Sequence, residues 1–194
     1  MKRIAIYLVK KMLAFFGYQI SPPGTFATVP TDKDKLESLI RSLSPMSTGK
    51  ELIRLGPEGD GGYLVPDDLE GIEACFSPGV STVSGFEGEC ADLGMKVFLA
   101  DKSVEEPAVS HDLFHFSRKF IGATTNDEFM TMDDWVAASV PGTDSDLLLQ
   151  MDIEGFEYET FLAMSDGLLR RFRVMVAEFH CLEELWNRPF YRLA

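Results

Sequence analysis

Cysteine, basic residues and long apolar runs are all scarce in this sequence, and each scarcity excludes something. Three cysteines in 194 residues, Cys75, Cys90 and Cys181, are odd in number and widely spaced. They form neither a disulfide framework nor a CxxC metal motif, and they suit a reducing, cytoplasmic compartment. Lys and Arg number 18 against 31 Asp and Glu, a formal net charge of -13. The first 20 residues hold Lys2, Arg3, Lys10 and Lys11 and no acid, so the rest of the chain is more acidic still. Such a body cannot neutralise phosphates, which argues against a nucleic-acid partner. No apolar run approaches the ~20 residues that cross a bilayer. Two nucleotide signatures are also missing, the GxGxxG of dinucleotide folds and the GK[ST] of P-loops.

What is present is a globular composition, 45% hydrophobic and 25% charged, in a chain long enough for one domain with a real core. Its organising stretch is Asp146-Leu-Leu-Leu-Gln-Met-Asp-Ile-Glu-Gly-Phe-Glu157. The apolar run Leu147 to Met151 suits a strand covered on both faces, as in a parallel sheet. Ligands of open α/β sheets sit outside the carboxyl ends of the strands. Asp152 and Glu154 are therefore placed at a crevice, where their charge favours a cationic ligand or a metal. A solvated turn leading into an acid-rich helix start is an equal reading of the same residues.

In chain order, residues 4–17 combine apolar residues with Lys10 and Lys11. They predict a basic amphipathic helix that packs on the body or lies peripherally on a membrane. Residues 21–31, with three prolines and a glycine, predict an irregular linker. A first segment, 1–31, is thus separated from an α/β domain, 32–194. Thr31 or Asp32 caps a helix with Leu36, Leu39, Ile40 and Leu43 on one face, ended by Ser44-Pro45. Residues 53–66, with Gly56, Gly59, Gly61 and Gly62, predict a plain hairpin rather than a ligand loop.

From residue 71, strands alternate with helices. Strands are expected at Ile72–Phe76, Lys96–Ala100, Lys119–Ala123, Leu147–Met151 and Arg173–Ala177, which implies right-handed βαβ units. Helices are expected at about 85–93, after Thr131, after the fourth strand and from near Leu182. The histidines of HDLFHF, His111 and His115, read as surface or packed residues. The chain stops within an amphipathic segment (Trp186, Phe190, Leu193), which predicts a domain lacking its last strands.

A turn at Gly79 lets backbone approach a ligand closely. Asp101, at the end of the next strand, follows at about the 20-residue spacing of ribose-binding acids. Gly79 and Gly85 do not provide the donor spacing a pyrophosphate requires. S-adenosylmethionine carries no phosphate, and its sulfonium tolerates an acidic crevice; it is favoured over NAD.

The order GPEGDGGYLVPDDL, FSPGVSTVSGFE, VFLADKS, TMDDW, LLLQMDIEGFEYE and VAEFH resembles the FkbM family of S-adenosylmethionine-dependent methyltransferases over roughly residues 52–186. DIEGFEYE carries most of the resemblance; at the glycine turn Phe76-Ser77-Pro78-Gly79 departs from the family pattern. The resemblance implies a class I methyltransferase fold, Rossmann-like and three-layered, with a mainly parallel sheet. It implies methylation of a hydroxyl on a small molecule or sugar. It places Gly79 and Ser81 beside the amino-acid part of S-adenosylmethionine, Asp101 on the ribose and Asp152 at the methyl-transfer centre. Hydroxyl methylation needs a proton acceptor, for which Asp152, Glu154, Glu178 and His180 are the candidates; Asp152 and His180 are assigned that role, with Glu154 and Glu178 on the substrate. Asp152, Glu178 and His180 also offer oxygen and nitrogen ligands, but no spacing rule supports them and no metal is predicted. The competing readings are a nucleotide- or NAD-binding oxidoreductase and an inactive, methyltransferase-like binding protein.

Overall fold

The computed structural model describes residues 2–20, 27–80, 83–142 and 144–194, with side chains from residue 9 onward. The chain divides into two compact units, Met1–Met46 with Cys181–Ala194, and Ser47–His180.

The larger unit is built on a five-stranded parallel sheet: β1 (Ala74–Pro78), β2 (Lys96–Ala100), β3 (Phe114–Ser117), β4 (Leu147–Met151) and β5 (Phe172–Ala177). Their spatial order is β5-β4-β1-β2-β3. The order reverses between β1 and β4, the point at which doubly wound sheets open a crevice. All five residues of β4 are buried, because β1 and β5 flank it and both faces are covered. Its side chains alternate between two cores. Leu147, Leu149 and Met151 join Phe76, Phe98, Trp135 and Phe172 on one face. Leu148 joins Cys75, Val97, Phe86 and Cys90 on the other.

Helices cover both faces. α1 (Lys2–Phe15) and α2 (Lys33–Ser42) belong to the smaller unit. In the larger unit, α3 (Gly85–Asp92) buries Phe86 and Cys90, and α4 (Met132–Ser139) buries Met132, Trp135 and Val136. Thr131 caps α4, its hydroxyl accepting the Asp134 N–H at 3.2 Å. α5 (Glu157–Ala163) follows β4. The glycine-rich hairpin is present, with Leu52–Leu55 antiparallel to Tyr63–Pro66, and it contributes Leu55 and Val65 to the second core.

Two strand expectations are corrected. The third strand of the sheet is Phe114–Ser117, not Lys119–Ala123; Phe120–Ile121 pairs instead with Phe129–Met130 in a small sheet apart. The HDLFHF stretch has the period of two that an edge strand needs. Phe114 and Phe116 pack on one face, and His115 stacks on Phe98 at 4.9 Å from the other. The first strand runs two residues further than expected, to Pro78. Pro78 donates no N–H, yet its carbonyl accepts the Asp152 N–H at 3.3 Å.

In the smaller unit Asp32 caps α2, accepting the Lys35 N–H at 3.1 Å. Residues 21–26 of the expected linker lie outside the described residues. Ala27–Thr28 is not irregular but pairs antiparallel with Gln19–Ile20. The helix expected near Leu182 is a 3-10 turn, Leu182–Trp186, followed by a short α-helix, Arg188–Tyr191. Thr28 and Thr31 tie these elements by hydroxyl bonds of 2.7 Å to Asn187 Oδ1 and to the Leu185 carbonyl. No described helix is long and apolar enough to cross a membrane.

Candidate functional site

At the carboxyl ends of β1, β2, β4 and β5 the larger unit encloses a cavity of about 590 Å³. That size falls within the roughly 300–1,000 Å³ of small-molecule sites. Gly79 follows β1, Asp101 follows β2, Asp152 and Glu154 follow β4, and Glu178 and His180 follow β5; all six line the cavity. Ser81, expected beside them, lies outside the described residues.

Gly79 is there for want of space. Its φ is +92°, and a Cβ built on it would stand 1.5 Å from the Asp152 carbonyl oxygen. The ends of β1 and β4 therefore approach as closely as backbone allows. Asp101 accepts the Ser103 N–H on Oδ1 at 2.6 Å, which fixes its carboxylate at the mouth of the cavity.

The loop after β4 is organised by Glu157, whose side chain is fully buried at the start of α5. One oxygen, Oε1, accepts the N–H of Ile153 at 3.0 Å and of Gly155 at 3.1 Å, and lies 3.0 Å from His180 Nδ1. Burial pushes this carboxyl up, but the backbone N–H groups of Gly155, Glu157 and Ile153, with His180, outweigh it and hold the group below the ordinary range. His180 is shifted the other way. Burial lowers it, yet Glu157, Asp152 and Glu154 together raise it above the ordinary imidazole range. Between Asp152 and Gly155 the chain turns tightly, with Glu154 at φ 56° and Gly155 at φ 104°. Asp152 is raised, first by burial and then by Glu178, with His180 opposing. Glu178 does not pair with Arg173, which instead holds Asp146 at 2.9 Å and the Glu70 carbonyl at 2.7 Å. Asp152, Glu154 and His180 converge within 4.8 Å; Glu178, placed in the candidate metal set from sequence, is not in that group.

Sequence reasoning missed two contributors. The hairpin brings Tyr63 into the cavity, its hydroxyl 3.4 Å from Asp152 Oδ2 and 3.5 Å from Glu178 Oε2. Burial and then Asp152 push that hydroxyl up to about 12. The density of glycine in GPEGDGGY was the available signal, since Gly56 and Gly62 pack against backbone too closely for any Cβ.

The second is a buried chain of hydrogen bonds. Ser77 Oγ lies 2.6 Å from Glu87 Oε1 and 2.6 Å from Gln150 Oε1. A hydroxyl has one proton and cannot donate to two acceptors. The contacts balance when Glu87 is protonated and donates to Ser77, Ser77 donates to Gln150, and the Gln150 amide turns its NH₂ to Tyr63, which it also hydrogen-bonds. Burial raises the Glu87 carboxyl, in keeping with a neutral acid. Because its folded pKa is raised, its contribution to stability is complete below the unfolded value of 4.5 and is lost as pH rises through the folded one. Glu87→Gln keeps the donor and cannot ionise. Its melting temperature is expected to exceed that of the parent by about 2–4 °C at pH 8, the effect of ~1 kcal/mol in a chain of this size. The gain should shrink at pH 5. Equal destabilisation at both pH values, followed by circular dichroism, would rule out a protonated Glu87.

What the fold and cavity define is an α/β domain with a Rossmann-like parallel sheet and an acidic pocket at its switch point. Comparison with models of protein families, with curated proteins and with solved structures finds no match to the chain.

Proposed function

We propose that the chain is an S-adenosylmethionine-dependent methyltransferase acting on a hydroxyl oxygen of a small molecule or sugar. The observation that carries this reading is the charge of the cavity. Its described lining includes Asp60, Asp101, Asp152, Glu154 and Glu178 against a single basic residue, His180, and no Lys or Arg. A pyrophosphate would find no counter-charge there, whereas a sulfonium is attracted. The same charge disfavours the NAD-dependent alternative. The glycine turn after β1, the acid after β2 and the resemblance to the FkbM family support the reading further.

Bound S-adenosylmethionine would supply an electrophilic methyl group on its sulfonium, which an acceptor oxygen would take up as the carbon–sulfur bond breaks to leave a neutral thioether. The protein supplies orientation, through Asp101 on the ribose and the backbone at Gly79 beside the amino-acid part. The acceptor's proton passes to the Asp152–His180 pair, with Glu154 and Glu178 against the acceptor.

Calorimetric titration with S-adenosylmethionine is expected to show saturable binding, weakened at least tenfold in Asp101→Ala, because a ribose held by two hydrogen bonds to a carboxylate loses about 1.5–3 kcal/mol for each. A folded chain that does not bind the cofactor would end this reading. Binding unaffected by Asp101→Ala would remove the ribose role.

A further inference from the structure

We infer that Asp152, Glu154 and His180 form a binding site for a divalent transition metal of the zinc type, with one coordination position open to the cavity. The inference stands on the arrangement of these side chains and does not require the cofactor.

Glu157 orients the imidazole. Its buried Oε1 already accepts two backbone N–H groups, so its contact with His180 Nδ1 is one in which the imidazole donates. That bond sets the tautomer and turns Nε2 away, toward the carboxylates of Asp152 and Glu154. Nε2 stands 3.7 Å from Asp152 Oδ1 and 3.6 Å from Glu154 Oε2. Both separations exceed hydrogen-bonding range. They suit donors that share a metal: at zinc–ligand distances of about 2.0–2.2 Å, tetrahedral ligands lie roughly 3.3–3.6 Å apart.

A second observation points to a ligand. Asp152 Oδ1 is buried and has no hydrogen-bond partner among the described residues. An acceptor left in that condition carries a desolvation cost of about 1–3 kcal/mol, more for a charged group, unless something binds it. The other oxygen of Asp152 is held by Tyr63 at 3.4 Å, and His180 is held by Glu157, so both ligands have the outer partners that orient metal ligands elsewhere. The third ligand, Glu154, is 86% exposed and free to swing. The three donor atoms now lie within 4.8 Å of one another, and rotation of this side chain closes the set. One imidazole with two carboxylates suits zinc better than magnesium or calcium, which take oxygen ligands.

Under the methyl-transfer reading, the open position is where an acceptor hydroxyl would bind and have its pKa lowered. Asp152 and His180 would then be ligands, and Glu178, 3.5 Å from the Tyr63 hydroxyl, is the carboxylate left to take the proton.

The test is calorimetric titration of the full chain, stripped with a chelator, with Zn²⁺ alone and with Mg²⁺ for comparison, in the absence of S-adenosylmethionine. Co²⁺ substitution provides a visible spectrum that reports coordination geometry. Expected are one tight Zn²⁺ per chain, much weaker Mg²⁺ and a tetrahedral-type Co²⁺ spectrum. Glu154→Gln, at an exposed position, and His180→Ala should each weaken Zn²⁺ at least tenfold. Cys181→Ser, which removes an exposed thiol next in sequence to His180, should leave it unchanged. Absence of saturable Zn²⁺ binding by the folded chain would overturn the inference and leave His180 as a partner of Glu157 alone. Binding that survives Glu154→Gln and His180→Ala, or that is lost in Cys181→Ser, would overturn it as well. Because no cofactor is present, failure here is distinct from failure to bind S-adenosylmethionine.

Discussion

Gly79→Ala is expected to lower the stability of the chain by at least about 3 kcal/mol, and to lower its melting temperature by roughly 6–12 °C. Two costs add. At φ +92° an L side chain is strained, which alone costs on the order of 1–3 kcal/mol. The added Cβ also meets the Asp152 carbonyl oxygen at 1.5 Å, and the obstacle is backbone, not the end of a flexible side chain. Relief would require the ends of β1 and β4 to separate. That would stretch the 3.3 Å bond from the Asp152 N–H to the Pro78 carbonyl, and β2, bonded at 3.0 Å from the Gly79 N–H to the Ala100 carbonyl, leaves the end of β1 little room to retreat. Since a domain is held by only about 5–15 kcal/mol, a large share of the margin would go. The measurement is urea denaturation of parent and variant. A midpoint unchanged within error would mean that β1 and β4 do not meet at Gly79. By the same geometry, any variant that folds should bind ligand in the cavity poorly, because the displaced residues line it.

Glu157→Ala should cost as much or more, about 3–5 kcal/mol, the range found when one partner of a buried charged pair is removed. The carboxylate is fully buried and serves three donors at once. Truncation leaves the N–H groups of Ile153 and Gly155 without their acceptor and His180 without the group that orients it. Glu157→Gln separates the parts. Its amide oxygen can still accept the two backbone bonds, while the negative charge is gone. In metal-free buffer the His180 pKa, followed by NMR, should fall toward the ordinary value, because Glu157 is the strongest of the groups that raise it. The acid limb of stability should change too. Glu157 has a folded pKa below its unfolded value, so its contribution is present above the unfolded value and is lost as pH falls through the folded one. Parent and Glu157→Gln should therefore converge in stability at low pH and diverge toward neutrality. A gap that stays constant from pH 3 to pH 7 would show that the charge contributes nothing.

Both predictions concern residues whose importance reaches the sequence only in part. Local pattern was enough wherever a residue's role follows from its chain neighbours. The run Leu147 to Met151 announced a strand buried on both faces, and β2 was legible in Lys96–Ala100, because continuous apolar residues fit little else. Thr131 and Asp32 announced helix starts, since a cap acts on N–H groups two or three residues away. The glycine, acids and histidine at strand ends, Gly79, Asp101, Asp152, Glu154, Glu178 and His180, could be placed at one crevice because parallel strands put their carboxyl ends on the same side.

Whatever depends on residues distant in sequence was settled only by the tertiary structure. The edge strand Phe114–Ser117 was hidden because its pattern mixes aromatic and polar residues, and its partner β2 decides that it is a strand. Tyr63 reaches Asp152 across 89 positions of chain, so a hairpin read as plain became a wall of the cavity. Glu157 read as one of three acids, facing a crevice or on a solvated helix start. Only the return of β5 beside β4, which brings His180 to it, turned it into the buried anchor of the loop. Ser77, Glu87 and Gln150 were silent for the same reason. Each is an ordinary polar residue by itself, and a chain of hydrogen bonds arises only when three elements bury them together. Hydrophobic period and capping are local and are written in the chain order. Hydrogen bonds and shifted pKa values arise from proximity and loss of water, which the fold alone creates.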